Sequence, residues 1–387
     1  MAGHDQELLN WMLKSTNPCI QYQIQRDFMQ IQNTNQLDEL WEECLQNPMV
    51  TFWLNLNSYA LTHGSKIDAF ENLIPKLYQL GFSKNNPDFN DRYEMWHNKI
   101  DLSIYKKKNP NPIENTYWTN FGYFENAILA GLLAYSGILP SKNVEFVILQ
   151  RIQAIFSFLN RKDLSLAEFL VPAEDYPKLP QSRKEHIINP LFYNSGNFSL
   201  PWIYDLYGFS RFIEFTKDPE LKNQVERIVS LILSPEYQSL PQGFGTVLSK
   251  PNYGYALGWK VQLPGFVKSQ SEYPKSKSGN LKSTSRFFEM NEIQKETTKT
   301  SNILLLLEAL SHFETARKHE WFKSAINYLE SYRTINNTYK FPVHLLDEKK
   351  MGYWNSGAYM GVGESRANLN WREIESSYWM LKIKKNT

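Results

Sequence analysis

Cysteine is nearly absent from the sequence, where Cys19 and Cys44 are the two occurrences among 387 residues. Two cysteines form one bridge at most and cannot supply the disulfide framework of a small secreted domain, so we expect a reducing compartment. The N-terminus "MAGHDQELLNWMLKS" lacks a charged segment followed by a long apolar stretch, and about 18 consecutive apolar residues occur nowhere. We therefore predict a cytoplasmic protein without a signal peptide or an integral membrane segment.

An excess of charge of one sign is missing too. The sequence has 42 basic and 40 acidic residues, a net charge of +2. A protein that binds nucleic acid normally has a larger positive excess or a recognisable binding module. We expect no nucleic-acid partner.

Motifs that signal a particular chemistry are also missing. The sequence has no glycine-rich phosphate loop, no Gly-x-Ser-x-Gly elbow and no His-Glu-x-x-His pair. His312 and His319 are seven positions apart and could share a helix face, but a metal site needs further ligands nearby. We predict no metal ion and no cofactor.

Aromatic residues, in contrast, are abundant. They make up 14% of the chain, with 11 Trp and 22 Tyr. Amphipathic rings line cavities that receive apolar or sugar-like ligands, as well as filling cores. We expect a small molecule of one of these two classes as the partner.

Apolar residues recur at spacings of three and four, which predicts helices rather than strands. Asn17-Pro18 separates the first two helices, and Gly81 and Gly137 each end a helix. Phe-Glu-Asn occurs at positions 70–72 and again at 124–126, a weak internal repeat. The predicted helices are 7–15, 19–31, 69–82, 123–138, 143–159, 200–216, 219–233, 300–318, 320–333 and 371–384.

Most of these helices form pairs in which one member is more apolar and the other more amphipathic. Concentric rings of helices produce that difference, and so does an open solenoid of helix pairs. The connections 160–199 and 235–299 are long, and such loops are usually functional or mobile. We expect order as far as Phe266 and mobility in the Lys/Ser-rich part, 268–286, which either covers an anionic ligand or is simply solvated.

The opening "LLNWMLKSTNPCIQYQIQRDFM", the closing "WNSGAYMGVGESRANLNWREIESSYWMLKI" and the spaced helix pairs between them resemble a known family. They are similar to α/α-toroid proteins of the prenyltransferase and squalene-cyclase-like superfamily, most closely its small bacterial members without assigned activity. The resemblance implies an all-α fold, a single toroid domain over residues 1–387 and a central cavity. The family's Asp-x-Asp-Asp acid, its Asp-rich diphosphate site and its zinc ligands have no counterpart here, so no catalytic residue is transferred.

Asp205 is the first catalytic candidate. It follows Trp202 and Tyr204 in "LPWIYDLYGF", where a toroid would place it among rings at the cavity mouth. Loss of water there would raise its pKa toward values useful for a general acid. The alternative is that Asp205 binds backbone or tyrosine hydroxyl groups near the helix start.

The closing loop, residues 351–366, supplies the second candidate. Its four glycines let the backbone turn sharply, and its rings offer large binding faces. We interpret it as a wall of the cavity, with Glu364 and Arg366 pointing inward. The alternative is a latch that fastens the C-terminus to the ring, with both residues paired to neighbours.

We therefore predict Asp205 and Glu364 as catalytic residues. The predicted ligand-binding residues are Trp118, Tyr193, Trp202, Tyr204, Tyr255, Trp259, Trp354, Tyr359 and Arg366. The leading functional hypothesis is binding or transformation of an apolar, isoprenoid-like molecule in a central aromatic cavity. A carbohydrate-active hydrolase or lyase on an α/α barrel is the first alternative, and a non-catalytic protein-interaction module is the second.

Overall fold

In the computed structural model, the described residues are 3–29, 34–56, 61–84, 86–106, 117–177, 186–193, 197–250, 253–256, 258–266, 293, 302–349 and 351–387. This part of the chain contains 15 α-helices. They are α1 (Gly3–Ser15), α2 (Pro18–Asp27), α3 (Thr34–Leu45), α4 (Pro48–Leu54), α5 (Phe70–Gln79), α6 (Pro87–His97), α7 (Tyr117–Tyr135), α8 (Lys142–Leu159), α9 (Ile203–Phe215), α10 (Pro219–Ile232), α11 (Pro235–Ser239), α12 (Ile303–Leu310), α13 (Glu314–Lys318), α14 (Glu320–Glu330) and α15 (Trp371–Lys384).

Several helices begin with a polar residue followed by proline. Asn17 Oδ1 accepts hydrogen bonds from the N–H groups of Cys19 and Ile20, and Asp218 caps α10 in the same way. Proline at the first helical position lacks an N–H that would otherwise have no partner. The predicted boundary at Asn17-Pro18 is confirmed.

Two glycines terminate helices as predicted. Gly81, after α5, has φ +107°, and Gly137, after α7, has φ +88°. Glycine adopts this left-handed conformation without the steric cost that a Cβ atom would bring. Both glycines therefore allow the chain to turn directly into its next segment.

The helices contact one another along a circuit that returns to its start. Contacts run from α1 through α2, α3, α4 and α5, and then through α7, α9, α12 and α15. Helix α15 in turn packs against α1, so the last helix meets the first. The predicted pairs are present as well, since α8 packs on α7, α10 on α9 and α14 on α12.

Burial differs within these pairs in the way the sequence indicates. Every residue of α12 is buried, and α9 is buried continuously from Ile203 to Ser210. In α10 the buried residues are Val225, Ile228, Val229 and Ile232, which lie on one face. The apolar helix of each of these pairs is covered by protein, whereas the amphipathic one keeps a solvated face.

Helices α7 and α9 approach each other unusually closely because two glycines face each other. A Cβ atom on Gly131 would collide with the carbonyl oxygen of Tyr204, and one on Gly208 would lie 3.0 Å from the Cα of Gly131. A larger residue at either position would push the helices apart. This contact fixes the N-terminal part of α9, where a pocket opens.

Four short strands, β1 (Leu170–Val171), β2 (Ile187–Ile188), β3 (Thr246–Lys250) and β4 (Tyr253–Ala256), form a small sheet in the order β1-β2-β3-β4. The β1–β2 and β3–β4 pairs are antiparallel and the β2–β3 pair is parallel. The sheet lies within the long connections 160–199 and 235–299, for which no strand was predicted. Strands β1 and β2, with two residues each, are too short to show an alternating pattern.

The helix-rich class is confirmed, but α3, α4, α6 and α11 were not predicted and one predicted helix is broken. The predicted helix 300–318 is interrupted between α12 and α13, where Ser311 Oγ donates to the Glu308 carbonyl at 2.6 Å and Phe313 is extended. Among the described residues, no helix has both the length and the apolar character needed to cross a membrane. The segment 268–286, predicted to be mobile, lies outside the described residues.

Candidate functional site

Asp205 is buried in an ion pair with Arg151. The guanidinium Nη2 lies 2.8 Å from Asp205 Oδ2, and Nε lies 3.0 Å from Oδ1. Oδ2 also accepts the N–H of Trp202 at 2.9 Å, which caps α9. Both carboxylate oxygens are therefore engaged, as the structural alternative for Asp205 expects, and its catalytic role stays a prediction.

Three of the predicted ligand-binding rings are buried among protein groups. Trp202 lies against the Arg151 guanidinium, with Cζ 4.1 Å from the ring centroid. The Tyr193 hydroxyl accepts the N–H of Leu248 at 3.2 Å. Tyr204 is fully buried and donates to the carboxylate of Glu71. These rings make up part of the core around the N-terminus of α9.

Glu364 and Arg366 fasten the closing loop. Glu364 accepts hydrogen bonds from the Asn17 side-chain amide and from the Asn368 side-chain amide, both at 2.9 Å. Arg366 Nη1 lies 2.6 Å from Glu375 Oε2 in α15. The pairing with neighbours agrees with the latch alternative for the closing loop.

A buried polar face of α5 holds the same loop. Asn72, Lys76 and Gln79 are spaced by four and three residues, and all three are buried. Asn72 Oδ1 accepts the Trp354 N–H at 2.8 Å, and Gln79 Oε1 accepts the Trp354 indole N–H at 3.0 Å. Lys76 Nζ and Gln79 Nε2 donate to the Gly361 carbonyl at 2.5 and 2.8 Å. Trp354 is thus fixed through its backbone and its indole.

Tyr359 is also fixed within the closing loop. Its ring packs edge-on against Trp53 with the centroids 5.1 Å apart, and its hydroxyl donates to the Gly352 carbonyl at 3.2 Å. The side chains of Trp118 and Tyr255, two further binding predictions, lie outside the described residues.

A pocket of about 140 Å³ opens at the N-terminal ends of α9 and α12. Among the predicted ligand-binding residues whose side chains the structure describes, Trp259 lines it. We call it the amide pocket because four carboxamide residues contribute to it. Its lining residues are Ile203, Gln242, Trp259, Lys260, Gln262, Asn302, Tyr353, Asn355 and Ser356.

The lining of the amide pocket exposes more apolar than polar surface, and its polar groups carry little free charge. Lys260 is the one charged residue among the lining residues, and its ammonium donates to the Gln238 carbonyl at 2.6 Å. The carboxamides of Gln242 and Gln262 each offer both donors and an acceptor. Such a lining suits a neutral ligand with hydroxyl groups better than an ion.

Asn302 lines the pocket and carries a hydrogen-bond acceptor without a partner among the described residues. It directly precedes α12, but its side chain makes no helix-capping bond. Its Nδ2 donates to the Asn355 carbonyl at 3.3 Å, whereas its Oδ1 is buried with no hydrogen-bond partner among the described residues. A buried acceptor without a partner costs about 1–3 kcal/mol, which a ligand hydroxyl would offset.

Behind the pocket lies a buried carboxylate, Glu71. Its Oε1 accepts the N–H of Gly64 at 2.6 Å and lies 2.7 Å from His63 Nδ1, within ion-pair distance although the ring N–H is not aligned for a hydrogen bond. Its Oε2 accepts the Tyr204 hydroxyl, which in turn accepts the Asn355 amide at 3.2 Å. Burial and the neighbouring Glu71 hold the pKa of Tyr204 well above its usual value, so it remains a donor.

The His63 ring contacts Tyr353, an aromatic residue of the pocket lining. It stacks on Tyr353 with the centroids 5.6 Å apart and the planes 25° apart, and Tyr353 lies 5.9 Å from Trp259. The His63 side chain is 25% exposed, so the imidazole is accessible to solvent. A histidine beside a buried carboxylate, with an accessible ring, is an arrangement suited to proton transfer.

The sequence analysis did not predict His63, Glu71, Asn302 or Asn355. The signal for Glu71 was present, because it is the acidic residue of the first of the two Phe-Glu-Asn units. Its partner Tyr204 is 133 positions away, so the pairing depends on the tertiary fold. Asn302 and Asn355 have no distinguishing local pattern.

Among the described residues, no group of three His, Cys, Asp or Glu side chains is placed to hold a metal ion. His312 Nδ1 lies 2.7 Å from Glu214 Oε1, and His319 Nδ1 accepts the Trp321 N–H at 3.1 Å. Cys19 and Cys44 are buried free thiols. Comparison of the chain with protein-family models, with curated proteins and with solved structures finds no match.

Proposed function

We propose that the protein is an α/α toroid that binds a small, neutral, hydroxylated molecule of sugar-like chemistry in the amide pocket. The unpartnered Oδ1 of Asn302 is the observation that carries this proposal. A hydroxyl group of the ligand would donate to that oxygen. Sugars therefore become the first hypothesis, ahead of the isoprenoid-like ligand.

The closed circuit of helix contacts supports the toroid. Contact between α15 and α1 is expected of a ring and not of an open solenoid. The burial difference between α9 and α10 supports an inner and an outer layer. In such a ring, the starts of α9 and α12 lie at one mouth, where the amide pocket opens.

The composition and size of the pocket support the ligand class. Carboxamides both donate and accept, which matches hydroxyl groups, and the rings of Trp259 and Tyr353 offer faces for the apolar side of a sugar. A volume of about 140 Å³ is below the roughly 300–1,000 Å³ of pockets for drug-sized ligands. A pocket of this volume fits one monosaccharide-sized ring better than it fits an extended chain.

The reaction class that this arrangement supports is proton transfer at a ligand hydroxyl. His63 would act as the general base, with the Glu71 carboxylate 2.7 Å from its Nδ1. Tyr204 and Asn355 link Glu71 to the pocket wall. The catalytic roles of Asp205 and Glu364 remain separate proposals.

An isoprenoid-like ligand is the second candidate. Tyr135, Tyr207 and Trp354 form a buried ring cluster with centroids 5.0–5.3 Å apart. The hydroxyl of Tyr207 is buried without a hydrogen-bond partner among the described residues. Aromatic faces of this kind suit an apolar or cationic guest.

Ligand-observed NMR with the purified full-length chain tests both candidates. The panel contains glucose, galactose and N-acetylglucosamine as hydroxylated probes and farnesol as the apolar probe. We expect at least one sugar to bind and Asn302→Ala to weaken it about tenfold, since one good hydrogen bond is worth roughly 1.4 kcal/mol. Asn336→Ala, at an exposed turn, is the matched control and should leave binding unchanged.

Binding of no sugar in the panel would contradict the proposal, as would equal sugar affinity in wild type and Asn302→Ala. Farnesol binding that Asn302→Ala leaves intact would instead support the isoprenoid candidate.

A further inference from the structure

A second group of polar side chains lies at the opposite ends of the same helices. Ile203 lines the amide pocket, whereas Arg211 is eight positions farther along α9, a distance of about 12 Å at 1.5 Å per residue. Around Arg211 lie residues near the C-terminal ends of α2, α5 and α15. This group does not share residues with the amide pocket.

Two cations of this group lie against one aromatic ring. Lys382 Nζ is 5.6 Å from the centroid of Tyr78, and Arg211 Cζ is 5.9 Å from the same centroid. Like charges repel, so their approach to a shared ring requires compensating negative charge.

The nearby carboxylates pair with groups other than Lys382. Glu308 pairs with Arg211 at 2.6 Å, and Asp27 pairs with Arg26 at 2.6 Å. Glu214 lies 3.9 Å from Arg211 and 2.7 Å from His312. Glu308 also accepts the Tyr135 hydroxyl at 2.9 Å. Lys382, in contrast, has no carboxylate within 4.0 Å among the residues the structure describes.

Unused donors also remain in the group. Arg211 Nε is buried without a hydrogen-bond partner, and the Tyr78 hydroxyl makes no hydrogen bond within the described part of the chain. Tyr78 and Lys382 are both half-buried, so they keep contact with solvent. Burial nevertheless lowers the pKa of Lys382, because loss of water disfavours the charged ammonium.

We propose that Lys382, Tyr78 and Arg211 form a binding site for a small oxyanion, either a phosphate or a carboxylate group. Lys382 supplies the unpaired charge, and Tyr78 and Arg211 supply donors. An anion here would offset the repulsion between the two cations and satisfy the free N–H and O–H groups. The proposal does not depend on ligand binding in the amide pocket.

A plainer explanation is that the cations lie near C-terminal helix ends because the helix dipole favours positive charge there. Lys382 is in the last turn of α15. That explanation predicts no saturable anion binding, so an experiment separates the two.

Isothermal titration calorimetry of the full-length protein, in a buffer low in chloride, measures binding of inorganic phosphate and of acetate. We expect one of the two anions to bind saturably at one site per chain. Binding of phosphate would identify a phosphate site, and binding of acetate would identify a carboxylate site. Lys382→Met should weaken binding at least tenfold. Lys384→Met is the matched control, because Lys384 lies in the same helix but pairs with Glu330 at 2.5 Å, and it should change affinity less than twofold.

Tyr78→Phe removes one hydroxyl and gives a second variant that should weaken binding several-fold even if Lys382→Met fails to fold. The proposal is overturned if neither anion binds saturably. It is also overturned if folded Lys382→Met binds as the control does, or, where that variant does not fold, if Tyr78→Phe binds as wild type does.

Discussion

Glu364 accepts hydrogen bonds from the main-chain N–H and the side-chain amide of Asn17, at 3.3 and 2.9 Å, and so joins residues 347 positions apart. Asn47 adds a second link, since its amide donates to the Gly363 carbonyl at 2.8 Å. The C-terminal part of the chain is thus tied to the N-terminal helices by partly buried polar groups as well as by helix packing. These links make the closing loop a determinant of stability.

Replacement of Glu364 by alanine should destabilise the protein by about 2 kcal/mol or more, because hydrogen bonds to a charged group contribute roughly 1.5–3 kcal/mol each. Glu364→Gln keeps the shape of the side chain and one acceptor oxygen, so it should lose less stability than Glu364→Ala. Urea denaturation monitored by tryptophan fluorescence measures both. Unchanged stability with loss of a ligand-dependent activity would restore Glu364 as a catalytic candidate.

Asp205→Asn should destabilise the fold strongly. It leaves Arg151, which is 1% exposed, as a buried cation without its carboxylate, and breaking such a pair costs about 3–5 kcal/mol. The double variant Arg151→Met/Asp205→Asn removes the unpaired charge and should be more stable than Asp205→Asn alone. Full stability of Asp205→Asn together with lost activity would favour the general-acid hypothesis instead.

Two glycines of α7 should respond in opposite directions to alanine. Gly131→Ala places a methyl group against the Tyr204 backbone and should cost about 1–3 kcal/mol, the usual range for overpacking. Gly122→Ala meets Ile104 at an ordinary 3.6 Å and should gain up to about 1 kcal/mol from helix propensity. Thermal melts of both variants give the comparison. Equal effects on stability would show that the close α7–α9 contact does not restrict the size of residue 131.

Stability should depend on pH through Glu375. Burial raises its pKa from 4.5 to about 7, even though Arg366 opposes the shift. Between these values the folded state binds more protons at this site than the unfolded state, so its contribution favours folding at low pH and is lost as pH rises.

Glu375→Gln mimics the protonated acid, so it should gain stability relative to wild type as pH rises from about 5 to about 8. The difference in free energy of unfolding between the two proteins should change by on the order of 3 kcal/mol. Glu373→Gln, two positions away in the same helix, is the control. Measuring differences between variants at each pH removes the contributions of other titrating groups. A pH-independent difference would mean that Glu375 is ionised throughout.

Local patterns predicted much of the fold. The period of the apolar residues placed most of the long helices, while Asn17-Pro18 and Gly81 marked their ends, because capping and backbone preferences act over a few residues. The repeated Phe-Glu-Asn also has a structural basis. Asn72 binds the Gly64 carbonyl and Asn126 binds the Asp101 carbonyl, so each repeat fixes the segment that precedes it.

The site was harder to predict because its contacts join distant segments. Lys76 and Gln79 look like ordinary surface residues of an amphipathic helix, yet they are buried against the closing loop more than 270 positions away. Aromatic content indicated a pocket, but most predicted rings fill the core. Only three-dimensional packing separates Trp259, which lines the amide pocket, from Trp202, which does not.

The location of sugar binding tests the central claim most directly. Hydrogen–deuterium exchange of the full-length protein should be measured with and without the tightest-binding sugar of the panel. The account predicts slower exchange in peptides that contain 258–262, 302–306 and 353–356, which surround the amide pocket. No protection in these peptides, or protection confined to other parts of the chain, would contradict it.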